Sequence, residues 1–152
     1  MINKLRVRAQ SESGFTLVEL LVVMLILGLL AAIAIPSFFN QRDKARDADA
    51  KTLARTAQTA IETYGTDHNG TYTGATPAAL ITIEETLNEA DITAPENGDA
   101  LSVTSAAETY TVTVDSQNTP NDFSISRAAN GNVTLTCTVA NSDGCPAGGN
   151  WD

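Results

Sequence analysis

The stretch from Gly14 to Ile35, GFTLVELLVVMLILGLLAAIAI, decides the fold. It is apolar except for one carboxylate, Glu19, five residues after the glycine that closes a short leader carrying Lys4, Arg6 and Arg8. From Phe15 to Ile35 there are 21 residues, roughly 31 Å of helix at the standard rise, which matches the hydrocarbon thickness of a bilayer. The basic leader places the N-terminus in the cytoplasm and the rest of the chain outside. An ionisable group in a membrane segment is expensive and marks function. This combination suggests a chain cut after Gly14 and then drawn from the membrane into an assembly.

Three readings of the segment compete. A secretory signal peptide is suggested by Ala32-Ile33-Ala34, an A-x-A pattern; the apolar run is too long for that, contains Glu19, and cleavage there leaves Ile35-Pro36 at the new N-terminus. An uncut single-pass anchor leaves Glu19 unexplained, because a lone helix has to keep the carboxylate protonated or snorkelling. The third reading gives Glu19 a partner. Cleavage after Gly14 creates a charged α-amine at Phe15, which in a helical array approaches Glu19 of a neighbouring copy. Such pairing offsets much of the desolvation cost and sets the axial register.

Gly14-Phe15-Thr16-Leu17-Val18-Glu19 followed by the apolar run resembles the prepilin signature of type IV pilins and type II secretion pseudopilins. The resemblance extends from Ser13 to about Tyr64 and fades beyond it. It implies that a membrane aspartyl protease cuts after Gly14 and methylates the new N-terminus at Phe15. It also implies that Glu19 serves assembly and that Pro36 stands where a helix-kinking proline is common.

The 152 residues leave about one domain once the membrane stretch is set aside. Leu, Ile and Val concentrate before Ile35, and beyond Thr56 the chain is rich in Thr, Ala, Asn, Gly and Asp. From Ala57 to Asp152 the only basic residue is Arg127, against 13 Asp and Glu. Such a head repels nucleic-acid phosphates. The one local basic strip is Lys44, Arg46, Lys51 and Arg55, a DNA-contact candidate for a minor, adhesive or DNA-uptake subunit.

Helical spacing of Ala45, Ala48, Leu53, Ala57, Ala60, Ile61 and Tyr64 continues the helix to about Tyr64. Gly28 lowers helix propensity and Pro36 removes a backbone donor, so Gly28 to Pro36 is the segment expected to kink, or to unwind when copies leave the bilayer. Asp67-His68-Asn69-Gly70 ends the helix, and Thr76 caps a short helix over Ala79 to Leu87 behind Pro77. Period-two alternation then marks four strands around Leu101-Val103, Tyr110-Val114, Phe123-Ile125 and Val133-Val139. Asn130-Gly131 is the turn between the last two. The apolar face is expected to pack on the Leu53 to Tyr64 stripe.

Cys137 is in phase with the inward positions of the last strand, and an oxidising space outside the membrane favours its bond to Cys145 over two free thiols. His68 beside Asp67 reads as a solvated turn residue, and Asn141-Ser142-Asp143-Gly144 as a turn in preference to a calcium loop. No nucleophile elbow, phosphate loop or paired acid appears, so an enzyme, a cofactor and a metal site are not expected.

The whole reads as an α+β protein: a leader at 1–14, a transmembrane and filament-core helix at 15–39, its amphipathic continuation at 40–66, and an acidic head at 67–152 with a small antiparallel sheet. The expected role is a structural pilin subunit forming a homo-oligomeric filament. Its partners are prepilin peptidase, the inner-membrane assembly platform and, before assembly, lipid, with nucleic acid disfavoured. The precursor is expected in the cytoplasmic membrane and the product at the cell surface, with a secretion pseudopilin as the alternative.

Overall fold

The computed structural model describes residues 14–89 and 100–152; the basic leader, with Lys4, Arg6 and Arg8, lies outside the described residues. One helix, α1, runs from Leu17 to Asp67 and contains Pro36. Chain compactness divides at Phe38/Phe39. The N-terminal part is apolar helix whose large side chains are exposed. The second part, Phe39–Asp152, is the folded body.

Within that body α1 presents Asp47, Ala50, Ala54, Ala57, Ala60, Ile61 and Gly65 to the interior. This stripe is rotated from the sequence expectation: Ala45 and Ala48 are exposed, and Leu53 and Tyr64 are only partly buried at its margin. Small side chains dominate because the sheet supplies the bulk, and close packing needs small residues opposite large ones. The helix ends in a Schellman-type turn. Asn69 takes φ 58° and Gly70 φ 84°, and the Gly70 N–H donates to the Gly65 carbonyl at 2.7 Å.

Thr76 caps α2, Pro77–Ile83, by accepting the Ala79 N–H. This helix is shorter than the sequence suggests. Glu84 leaves the helical region with ψ 97°, and the chain continues as a 3₁₀ turn over Glu85–Glu89. Leu80 and Leu87 are buried, so the same apolar spacing is met by two short elements.

Four strands follow: β1 Ala100–Ser105, β2 Tyr110–Asp115, β3 Asp122–Arg127 and β4 Val133–Cys137. They form an antiparallel meander in sequence order. Leu101 pairs with Val114, Val112 with Ile125, and Ile125 with Leu135. The inward residues Leu101, Tyr110, Val112, Val114, Phe123, Ile125 and Leu135 join the α1 alanines and Ile61 in one core. Burying each large apolar side chain contributes about 1.5–3 kcal/mol. The outward positions are mostly Thr and Ser, and hydroxyls bond across strands at Thr111–Ser126 (2.9 Å) and Thr113–Ser124 (2.8 Å).

The alternation that placed Val139 in the last strand continues beyond the strand itself. β4 stops at Cys137, and Val139 is exposed. The chain turns back there: the Cys137 N–H donates to the Gly149 carbonyl, and Thr136 bridges to Asn150. Cys137 and Cys145 are disulfide-bonded. Trp151 then caps the core edge-on to Phe123, with ring centroids 5.7 Å apart, and its Nε1–H donates to the Thr136 carbonyl at 2.8 Å.

Candidate functional site

At the N-terminal end, Gly14, Phe15 and Thr16 precede the first helical residue. The Thr16 hydroxyl accepts the Glu19 N–H at 3.2 Å, and the Leu20 N–H donates to the Thr16 carbonyl. Thr16-Leu17-Val18-Glu19 thus has the spacing of a capping box. The sequence reading missed Thr16, although its T-x-x-E pattern is legible. Glu19 sits in the first turn, where the helix dipole favours a negative charge.

The helix is unbroken across Gly28 and Pro36. A Cβ added at Gly14 or Gly28 would meet no described atom within 4 Å, so packing among the described residues of one copy does not demand glycine at either position. Every large apolar residue from Phe15 through Phe39 is exposed, including Leu17, Leu20, Leu25, Ile33 and Phe38. α1 is the one described helix long and apolar enough to cross a membrane. A contiguous apolar surface of this size on a single copy calls for lipid or other helices.

The folded body holds two polar centres that sequence patterning did not reveal. Asp47 is fully buried. Its Oδ1 accepts the hydroxyls of Ser116 (2.7 Å) and Thr119 (2.8 Å). Its Oδ2 accepts Asn121 Nδ2 (2.7 Å) and the Gly144 N–H (2.8 Å). Four donors satisfy the carboxylate where water cannot. Asn121, also fully buried, gives a second Nδ2 bond to the Ser142 carbonyl at 3.0 Å, which leaves its Oδ1 without a hydrogen-bond partner among the described residues. The tract Asn141–Gly144, read above as a turn in preference to a calcium loop, is a turn seated on this centre. No group of three or more metal-ligating side chains occurs among the described residues.

The second centre is Glu62. It accepts the hydroxyls of Tyr72 (2.7 Å) and Tyr110 (2.8 Å), and Arg127 approaches it at 3.5 Å. Burial, and then the bond to Glu62, push the Tyr110 hydroxyl well above its ordinary ionisation range; Tyr72 shifts the same way. At the opposite end of the strands, Asp115 and Asp122 face each other across β2 and β3. Burial raises the Asp115 carboxyl above the usual carboxylate range, and the charge and hydrogen bond of Asp122 raise it further.

Three of the four residues of the basic strip are engaged within the protein, and Lys44 is exposed. Lys51 donates to the Gly144 carbonyl and lies over the rings of Phe123 and Trp151. Arg55 covers Trp151 at 5.1 Å, and Arg46 pairs with Asp43 at 3.6 Å. His68 stacks on Tyr64 with centroids 3.8 Å apart, and its Nδ1 lies 2.8 Å from the Tyr64 carbonyl.

The profile described as "Prokaryotic N-terminal methylation motif" matches residues 10–35. The "Type IV major pilin protein PilA" of Myxococcus xanthus is 43% identical over 51 residues, 34% of this chain and 23% of that protein. The "Type II secretion system core protein G" of Pseudomonas aeruginosa is 37% identical over 59 residues, 39% of this chain and 42% of the relative. The "Fimbrial protein" of Neisseria meningitidis serogroup B is 34% identical over 74 residues, 49% of this chain and 44% of the relative. In each case the match spans less than half of the relative's length. By name these relatives are a major pilin, a core protein of a type II secretion system and a fimbrial protein. The chain therefore carries the prokaryotic N-terminal methylation motif at residues 10–35, at the head of an apolar helix, and is similar over 51 to 74 of its residues to a type IV pilin, a fimbrial protein and a type II secretion core protein.

Proposed function

We propose that this chain is a filament subunit: a membrane-anchored precursor cut by prepilin peptidase after Gly14, methylated at Phe15, and polymerised through α1 into a type IV pilus. The observation that carries this reading is the join between the methylation motif at residues 10–35 and an α1 surface that is apolar and exposed in a single copy.

The leader, residues 1–14, is removed, and the new Phe15 amine pairs with Glu19 of a neighbouring copy. Two charges brought together in an apolar interior recover much of their desolvation cost, whereas a mis-registered copy leaves both uncompensated. Residues 15–39 act first as anchor in the cytoplasmic membrane and then as filament core, delivered by an inner-membrane assembly platform. Residues 40–66 continue the helix, and 67–152 form the acidic outer head. Gly28 and Pro36 are the places where the helix yields during extraction: proline removes the bond to the carbonyl four residues earlier, and glycine lowers helix propensity.

Replacing Gly14 by leucine should leave the precursor uncut. Glu19→Ala should be cleaved but should not assemble. Wild-type filament yield from Glu19→Ala would contradict the pairing mechanism, and normal cleavage of Gly14→Leu would contradict the peptidase assignment.

A second reading, a pseudopilin of a type II secretion system, is favoured by the similarity to the secretion core protein G. It uses the same leader chemistry. A short periplasmic filament and loss of protein secretion on deletion would select it over a long surface pilus.

A further inference from the structure

We propose that Asn69 is an acceptor site for N-linked glycan, and that the fold selects it over a second tripeptide of the same pattern. The sequence contains two Asn-x-Thr tripeptides without proline at the middle position: Asn69-Gly70-Thr71 and Asn132-Val133-Thr134. Such a tripeptide is an acceptor only where an enzyme can reach the carboxamide and draw the following backbone into its own groove, hence on exposed turns.

The two sites differ in what the fold does with them. Asn132 is exposed, but its backbone closes the β3–β4 hairpin: its carbonyl accepts the Ala128 N–H and its own N–H donates to Asn130 Oδ1. Val133 and Thr134 are already β4, in register with Arg127 and Ser126. The acceptor triplet is woven into the sheet.

Asn69 is placed otherwise. It projects from the exit of α1 in the left-handed conformation, with φ 58° at Asn69 and 84° at Gly70, and both residues are exposed. Among the described residues its carboxamide has no hydrogen-bond partner. Gly70 and Thr71 are held by local bonds, Gly70 N–H to the Gly65 carbonyl, Thr71 N–H to the His68 carbonyl at 3.3 Å, and the Thr71 hydroxyl to that of Thr73 at 3.2 Å, and the chain is first anchored to the sheet region beyond the triplet, by the Tyr72 N–H to the Ala107 carbonyl at 3.1 Å. The +2 hydroxyl is therefore engaged only within its own turn, donating to the exposed Thr73 hydroxyl and accepting the Thr73 N–H at 3.3 Å. Two residues before the acceptor stands Asp67, exposed and with no ion pair among the described residues, a charged handle for a cationic enzyme subsite; Asn130 occupies that place before Asn132.

The reaction is a glycosyl transfer from a polyprenyl-pyrophosphate-linked oligosaccharide. The Asn69 Nδ2 attacks the anomeric carbon, and the new C–N bond forms as the bond from that carbon to the pyrophosphate oxygen breaks. The pyrophosphate leaves with the electron pair, and one Nδ2 proton passes to a base of the transferase. Donors of this class are presented on the outer side of the cytoplasmic membrane, the side on which the proposed topology puts the turn.

The test uses the purified full-length chain in detergent, a purified bacterial single-subunit oligosaccharyltransferase and a lipid-linked oligosaccharide, so it does not depend on topology in the cell. Peptide mass mapping reads occupancy at both asparagines, with a known acceptor peptide in the same tube. The expected result is glycan on Asn69 at least tenfold above Asn132. Modification should be lost in Asn69→Gln and Thr71→Val, retained in Thr71→Ser and reduced in Asp67→Ala. An unmodified Asn69 beside a modified control peptide overturns the proposal. So does equal occupancy of the two sites, or modification that survives Thr71→Val.

Discussion

Replacing Asp47 by alanine should be among the most damaging single changes in the folded body. The carboxylate collects four donors at 2.7–2.8 Å from the β2–β3 connection and from the C-terminal turn. Hydrogen bonds to a charged group contribute about 1.5–3 kcal/mol each. Their sum overstates the loss, because the Ser116 and Thr119 hydroxyls can rotate to new acceptors and water can enter the space left. The Asn121 Nδ2 and the Gly144 N–H are fixed in place, and leaving a buried donor unsatisfied costs about 1–3 kcal/mol each, so about 3–5 kcal/mol is the expected value. With a urea slope of about 1.5 kcal/mol/M, the midpoint falls by about 2–3 M. Trp151, the only tryptophan, is buried against Phe123 and reports directly on docking of the tail. The assay is urea titration of the full chain in detergent, followed by its fluorescence. Ser116→Ala should cost about 1–2 kcal/mol, and the double variant should be little worse than Asp47→Ala alone, since the two changes remove the same bond. An Asp47→Ala cost below about 1 kcal/mol, or full additivity with Ser116→Ala, would refute the reasoning.

Reduction of Cys137–Cys145, which closes over seven intervening residues, should cost about 2–3 kcal/mol; the same titration with and without reductant checks it. Asp115→Asn should stabilise the body at neutral pH. The folded-state pKa of Asp115 is raised, so its contribution is fully present below the ordinary carboxylate pKa of about 3.9 and is lost as pH rises through the raised value. Thermal melts should therefore show the variant above wild type at pH 7, with the gap narrowing toward pH 3; a variant less stable at pH 7 contradicts this. Tyr110 and Tyr72 predict a fall in stability from about pH 10 upward, because the unfolded hydroxyls ionise first; melts between pH 8 and 11 test it. Gly65→Ala places a Cβ 2.6 Å from the Tyr72 ring. It should cost about 1–3 kcal/mol by displacing that side chain from Glu62, measurable by the same urea titration.

Patterns that depend on neighbouring residues were legible in the sequence. The apolar run announced α1, Thr76-Pro77 announced the start of α2, and period-two alternation placed all four strands. Long-range partnerships were not. Asp47 sits at helical spacing with Ala50, Ala54, Ala57 and Ile61, yet an acidic residue there reads as solvated until its partners are known, and those lie 69 to 97 positions away. The helix stripe was misphased for the same reason: Leu53 and Tyr64 drew the eye, whereas the sheet selects alanines. Val139 kept the alternation but lost its place in the strand to the returning tail. At the N-terminus the motif was plain, while the capping role of Thr16 was hidden by the attention Glu19 attracts.

The most direct test of the proposed function is mass analysis of the N-terminus of material sheared from cells. The species expected begins at N-methyl-Phe15 and forms part of a filament. A mature chain beginning at Met1, or at Ile35 after the Ala32-Ile33-Ala34 pattern, would contradict it.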